Sequence, residues 1–453
     1  MNLPNYFLAD LPPEATLSPA MISEACQTLK RNREQYLANR STQSLVNFLS
    51  ELAESWLEPE FSFRKSAREN AAATGFSPAT LARGLDNFFK QITRENFNAL
   101  LLQEFGTAKR LDSICVTSAE EKLSRAAIVS TPEFQVHICA GNIPNPALTS
   151  IVFGLLTRSA QFVKCGSSSA FLPRLFAHSI YEADPKLGAC LEIAEWRGGN
   201  FGLENALFAE ADCVTATGGD ETLDEIRKQL PLKTRFLGHG HRVSFGFVAG
   251  EVLYGSRAKK IVAAAADDVV AWNQLGCLSP HVIYVQLGGE ILPEHFAQLL
   301  AEELERREQI EPRGELSAEH AAAIASRRGI YEVRAAHSPE TTQHWCSKNS
   351  TAWTVVFEAD ARFQMSCLNR FIYVKGVTDL KTALENADSV RGKVSTVGIA
   401  APEEKISEFA VQFARWGATR ICPLGQMQNP PLAWRHDGRP ALGDLITWTD
   451  LEF

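Results

Sequence analysis

Phe134-Gln135-Val136-His137-Ile138-Cys139-Ala140, followed at once by Gly141-Asn142-Ile143-Pro144, sets the architecture of this chain. Apolar residues at alternate places predict a short strand, and the glycine and proline end it. The apolar run after Pro146 then has the spacing of a helix reaching about residue 156. The unit recurs. Gln161-Phe162-Val163-Lys164-Cys165 leads into Gly166-Ser167-Ser168-Ser169 and a helix to about residue 183. Residues 191–196 and 213–217 repeat the strand pattern, the second ending in Gly218-Gly219-Asp220 before a helix over 221–230. Short apolar strands alternating with amphipathic helices predict an α/β fold with a parallel, doubly wound sheet. In such sheets ligands bind at the carboxyl ends of the strands, where these Gly/Ser/Asn turns fall.

A second alternating series follows residue 277. Strands are expected at 281–286, 330–334, 353–358, 371–374 and 396–400, with helices at 293–307, 318–327, 380–386 and 403–416. Before the first strand the chain is polar and helical, with periodic segments at 20–39, 41–56, 77–90 and 92–105. The division this suggests is a helical cap over 1–125 with no chemistry of its own and a cofactor-binding domain over 126–260. A catalytic domain over 261–420 and a C-terminal segment over 421–453 complete it.

A chain of 453 residues with 45% hydrophobic and 22% charged content has the composition of a globular protein with more than one core. A net charge of −8 argues against a general nucleic-acid binder. No run of about eighteen apolar residues predicts a membrane span, and the first residues do not read as a secretory leader. Ten cysteines without a C-x-x-C pair suit a reducing compartment, so a cytoplasmic location is expected.

One of those cysteines stands apart. In Ala271-Trp272-Asn273-Gln274-Leu275-Gly276-Cys277-Leu278-Ser279-Pro280 it lies on a glycine-punctuated loop between a helical run (257–270) and a strand. Most cysteines in such a chain are small buried hydrophobes. A thiol on a loop at a strand entrance is instead a candidate nucleophile.

Four other loops accompany it. Asn142 follows a strand and opens a helix. Its amide can donate to a developing oxyanion, although a helix cap would use the same residue type. Lys164 with Ser167 puts a cation and a hydroxyl where an adenosine ribose or its phosphate can bind. No carboxylate follows closely to repel a 2′-phosphate, which favours NADPH over NADH. Thr217-Gly218-Gly219 is a second turn fit for a cofactor edge, and no G-x-G-x-x-G or Walker motif is present. Leu237-Gly238-His239-Gly240-His241-Arg242 crowds two histidines into a connection. No spacing supplies a third metal ligand, so no metal site is expected, and a base acting on the thiol is the better use of an imidazole.

The ordered set Asn142-Ile143-Pro144, Lys164, Thr217-Gly218-Gly219, Gly238-His239-Gly240 and Asn273 to Cys277 resembles the aldehyde dehydrogenase superfamily. Thr419 to Met427 and His436-Asp437-Gly438 bring it closest to the LuxC-type acyl-CoA reductases, the fatty-acid reductase component of bacterial luminescence systems. The resemblance covers about 130–453. It implies an aldehyde-dehydrogenase-like fold of two doubly wound α/β domains with a helical N-terminal region. Cys277 would be the nucleophile and Asn142 the oxyanion donor. Lys164 and Ser167 would meet the adenosine end of the cofactor, with Thr217, Gly218 and Gly219 by its phosphates.

Ordinary aldehyde dehydrogenases carry a glutamate in an Glu-Leu-Gly-Gly turn. The stretch 237–241 has none here, which disfavours hydrolysis of a thioester on Cys277 and leaves His241, then His239, as the base. The implied reaction is NADPH-dependent reduction of a fatty acyl-CoA to the aldehyde through acyl-Cys277. An acyl-protein donor, an acyl-activating partner enzyme and a homo-oligomer built on the segment 445–453 are implied by the same resemblance. A non-redox acyltransferase or thioesterase, an acyl-phosphate reductase and a non-catalytic acyl-binding scaffold are the competing readings.

Overall fold

The computed structural model describes residues 3–12, 14–139, 141–166 and 169–453. Among these, fourteen strands fall into three sheets. The smaller parallel sheet comprises β2 (Phe134–Ile138), β3 (Ala160–Cys165), β4 (Leu191–Glu195), β5 (Cys213–Thr217) and β6 (Arg235–His239), in the order β4-β3-β2-β5-β6. The larger holds β7 (Val243–Val248), β8 (Pro280–Gln286), β9 (Thr342–Cys346), β10 (Thr354–Glu358), β11 (Phe371–Val377), β12 (Val394–Ala400) and β13 (Arg420–Pro423). Its order is β13-β12-β7-β8-β11-β10-β9, parallel except for β9 at the edge. Every residue of β3 and β7 is buried, as expected of strands covered on both faces by helices.

The third sheet is the antiparallel pair β1 (Arg125–Ser130) and β14 (Thr447–Glu452), which joins the C-terminal segment to the head of the small sheet within one chain. β14 is exposed along its length.

Helices in the N-terminal region start where hydroxyl residues predict. Ser18, Ser41, Ser77 and Thr93 each accept an N-terminal backbone N–H, a capping bond worth about 1 kcal/mol. The helices Thr42–Leu57 and Pro78–Phe89 share one core with the helix Asn145–Leu156 of the small sheet. Trp56 anchors that core, stacked on Phe89 with centroids 4.9 Å apart and donating its indole N–H to Ser179 Oγ at 2.9 Å. The N-terminal region is therefore a wall of the main body.

Two expectations are corrected. Residues 330–334, rich enough in Ile, Tyr and Val to predict a strand, belong to the helix Ala318–His337. Ser317 caps it, and Ile324 and Tyr331, two turns apart, are its buried contacts, so helical periodicity overrides local β-propensity. The stretch read as a glycine-rich connection at 237–242 is half strand. β6 runs to His239, and only residues 240–242 link it to β7. No helix among the described residues is long and apolar enough to cross a membrane.

Candidate active site

The two parallel sheets meet end to end. β6 finishes at His239 and β7 starts at Val243, so the carboxyl ends of β5 and β6 face the entrance of the larger sheet. Thr217 and His239 are register partners at that edge. Ser244, at the start of β7, donates its hydroxyl to the Cys277 carbonyl at 2.8 Å and so ties the cysteine loop to the junction.

The loop's shape comes from what precedes it. Trp272, Asn273 and Gln274 all take left-handed conformations, at φ 51°, 52° and 64°. Three such residues in a row cost roughly 1–2 kcal/mol each for non-glycine side chains. Buried partners hold them. Arg370 donates to Asn273 Oδ1 from Nε and Nη2 at 3.2 and 3.0 Å, and Gln274 Nε2 donates to the Pro280 and Phe371 carbonyls at 2.7 and 2.8 Å. Gly276 is required next, because a Cβ there would lie 2.7 Å from the Gln428 amide, which itself bonds Ser279.

Cys277 opens onto a cavity roofed by Phe153 from the helix Asn145–Leu156, by Phe88 and Ile92 from the N-terminal region, and by Leu432 and Leu445 from the C-terminal segment. Thr217, His239 and His436 line it as well. Cys277 is an exposed residue whose surface contributes to the cavity wall. Burial by the surrounding protein pushes the thiol up to about 12. Asp437 adds to the rise, and Arg242 and backbone N–H groups oppose it. A thiol so placed is protonated at neutral pH and needs a base before it can attack.

The fold brings His239 to that cavity. Its Nδ1–H faces Asp437 Oδ2 at 3.3 Å, and its ring stacks on His436 with centroids 4.2 Å apart and 7° between planes. Arg242 Nε stands 3.3 Å from Asp437 Oδ1. Burial would raise the Asp437 carboxyl, but the His239 hydrogen bond and the charges of His436 and Arg242 hold it below its ordinary value. Burial pushes His436 down to about 4, with His239 adding to the effect. His241 lies outside the cavity wall, exposed, with its backbone N–H donating to Asp220 Oδ1 at 3.0 Å.

Ligand atoms of His239, His436 and Asp437 come within 4.8 Å of one another, a third group that sequence spacing does not reveal. Two rings stacked in parallel aim their in-plane lone pairs along separate lines, and Asp437 already faces Arg242. A hydrogen-bonded cluster fits this geometry better than an ion does.

Asn142 sits on the turn after β2, in a smaller pocket next door with Gly141 and Phe171. Cys139 and Ile143 line both spaces. Lys164 is buried at the end of β3, its ammonium 5.7 Å over the Trp196 ring. Burial lowers its pKa, and Glu204 opposes that shift. Glu204, forty residues further along the chain, therefore acts on Lys164 through the fold, a carboxylate that its local sequence lacks. Ser167 lies outside the described residues. Gly218 donates its N–H to the His239 carbonyl at 3.2 Å, and nothing stands within 4 Å of where a Cβ on Gly219 would be. That open space before the helix Asp220–Gln229, beside Thr217 on the cavity rim, suits the phosphate edge of a nicotinamide nucleotide.

Sequence reasoning missed Asp437, Arg242 and His436 as a unit. His436 follows His239 by nearly two hundred residues, and only the His436-Asp437-Gly438 run hinted at it. It also missed Phe88 and Ile92, whose helical spacing reads simply as core.

Comparison with solved structures identifies the class first. The fold is that of the aldehyde dehydrogenases. A glyceraldehyde-3-phosphate dehydrogenase of Methanocaldococcus jannaschii complexed with NADP superposes with TM-score 0.65 at 14% identity, covering 96% of this chain and 95% of that one. An NAD-dependent benzaldehyde dehydrogenase of Corynebacterium glutamicum gives TM-score 0.68 at 14% identity, covering 99% and 94%. Within that class the family model described as acyl-CoA reductase (LuxC) matches residues 37–448, and the chain belongs to that family. It is 25% identical to the long-chain acyl-protein thioester reductase of Aliivibrio fischeri over 433 residues, covering 91% of this chain and 83% of the relative. The enzyme of the same description from Photorhabdus laumondii is 23% identical over 419 residues, with 90% and 82% covered.

Proposed function

We propose that this protein reduces long-chain acyl thioesters, acyl-CoA or acyl-protein, to aldehydes through an acyl-Cys277 intermediate, with NADPH preferred to NADH. The observation that carries the reading is Cys277 on the wall of a largely apolar cavity whose rim, at Thr217, adjoins the open turn at Gly218-Gly219. The NADPH preference rests on the local run Lys164 to Ser169, which holds no carboxylate of its own, and Glu204, which acts on Lys164 through the fold, is the one group that weighs against it.

A histidine of the 239–241 turn takes the Cys277 proton, with His239 favoured by its place on the cavity wall. The sulfur then attacks the thioester carbonyl, the bond to the carrier sulfur breaks, and the carrier thiolate recovers the proton. Asn142 and a backbone N–H stabilise the oxyanion, a contribution of about 3 kcal/mol in comparable sites. The nicotinamide supplies hydride to the enzyme-bound acyl group when it is bound. The bond from carbon to Cys277 sulfur finally breaks, aldehyde leaves, and the thiolate takes a proton from solvent. The apolar roof keeps water from the thioester, and the 237–241 turn offers no glutamate to activate it.

The test is oxidation of NADPH, and separately of NADH, with acyl-CoAs of increasing chain length, in the wild type and in Cys277→Ser. Chain-length-dependent oxidation that disappears in the variant supports the reading. Release of free CoA without nicotinamide consumption replaces it with non-redox acyl transfer.

A further inference from the structure

Asp437 meets three of the charged or titratable groups near the thiol: His239, Arg242 and His436. It accepts from His239 Nδ1–H, lies beside Arg242 Nε, and adjoins His436 in sequence. Its side chain is 4% exposed. Its backbone is left-handed, at φ 54°, a conformation that aspartate tolerates but that still costs free energy. Gly438 follows at φ 77°, so the chain turns sharply to deliver this carboxylate to the cavity wall. Strain, burial and a shared hydrogen bond converge on one side chain from the last twenty residues, far in sequence from the 239–242 turn that it braces.

We propose that Asp437 is a positioning residue. It accepts from His239 Nδ1–H, fixes that tautomer, and leaves Nε2 free to take the Cys277 proton in acyl transfer. The proposal rests on the reading of Cys277 as the nucleophile. The stacked His436 face orients the ring from the side, and Trp434, tilted against His436 at 4.6 Å, closes the stack. The balance is simple. The proton leaves sulfur for His239, the imidazolium is paired with the Asp437 carboxylate, and the proton returns to the departing carrier thiolate. The charged groups that face this unit are Arg242 and His436 on Asp437, and Arg439 on His436; Arg439 is itself paired with Asp444 at 2.7 Å.

The sign of the effect separates this role from a merely electrostatic one. Asp437 is a negative charge beside a thiol, and its removal alone makes the thiolate easier to form. A bystander carboxylate therefore predicts faster alkylation of Cys277 in Asp437→Asn. A positioning carboxylate predicts slower alkylation, because the base is lost.

The measurement is the rate of iodoacetamide labelling of the Cys277 peptide, resolved by mass spectrometry across pH, in the full-length wild type, Asp437→Asn and Asp437→Glu. Beside it runs acylation by palmitoyl-CoA, read as intact mass. The expected result is labelling about tenfold slower at neutral pH in Asp437→Asn, with the rate profile displaced to higher pH, acylation slowed in parallel, and partial recovery in Asp437→Glu. Labelling as fast as wild type or faster in Asp437→Asn overturns the inference. If that variant does not fold, wild-type rates in Asp437→Glu overturn it instead, since the longer carboxylate cannot hold the same ring position. Undiminished acylation in Cys277→Ser defeats the nucleophile reading itself, an outcome distinct from either of these.

Discussion

Gly84 lies flat against the indole of Trp272. A Cβ at position 84 would fall 2.1 Å from Trp272 Cζ2 and 2.4 Å from Cη2. A helix of the N-terminal region is thereby keyed to the first of three left-handed residues that lead into Cys277. Arg370 fastens the same joint from the other side, reaching Asn273 Oδ1 and the Thr80 hydroxyl.

Gly84→Ala forces either the helix or the indole to move. The overpacking cost is about 1–3 kcal/mol, and the displaced turn carries Cys277 with it. Turnover is expected to fall about tenfold or more, beyond what the folded fraction explains, while nicotinamide affinity stays as in the wild type. Thermal unfolding and steady-state kinetics on one preparation check this. Full specific activity in a folded variant would separate the N-terminal helices from the nucleophile.

Asn142→Ala removes the side-chain donor proposed for the oxyanion. The expected loss is on the order of a hundredfold in kcat, with KM for the acyl donor little changed. A rise in KM at constant kcat would make Asn142 a ground-state contact, as its place in the adjoining pocket allows.

Phe88 is 8% exposed and belongs to both the N-terminal core and the cavity roof. Phe88→Ala opens space at about 3–5 kcal/mol of stability. The chain-length optimum for reduction is expected to move to longer acyl groups, measured as kcat/KM across a thioester series. An unchanged optimum would assign the acyl chain to another part of the wall.

His137 offers a pH test. It is buried in the small sheet at the cavity's floor, between Thr215 Oγ1 at 2.6 Å and Gln161 Oε1 at 3.1 Å, and burial pushes it down from 6.5 to about 4. The unfolded chain binds this proton more readily than the folded one. The neutral ring's contribution is therefore fully present above about pH 6.5 and is lost as pH falls towards 4, at a cost of about 3 kcal/mol. Burial raises Glu192 to about 8, which acts in the opposite sense, so the wild-type profile alone is uninformative. The difference between wild type and His137→Gln is the measure. The variant should lose less unfolding free energy between pH 7 and pH 5, and equal losses would remove His137 as a source of acid sensitivity.

Most of the scaffold is legible in the sequence because it is local. The runs at β2, β3 and β5 are apolar, short and closed by Gly or Ser, and each is a strand ending at a turn. β6 was hidden because only Leu237 of its five residues is buried, so an edge strand with two glycines nearby reads as a loop. The 330–334 segment failed for the opposite reason, since its β-branched residues serve a helix whose face is set by Ile324 and Tyr331. At the site, Cys277 is conspicuous from its neighbours. The His239–Asp437 bond is not, because it joins residues 198 apart and no periodicity spans that gap.

The cavity takes its walls from Asn87 through Leu445. During synthesis Cys277 thus leaves the ribosome well before the cavity has all of its walls. The wall beside Cys277 is complete only once residues 434–452 fold back, bringing Trp434, His436 and Asp437 into place and pairing Thr447–Glu452 with Arg125–Ser130. A molecule cut before Trp434 would keep Cys277 while losing the part of the cavity wall that Trp434, His436 and Leu445 supply.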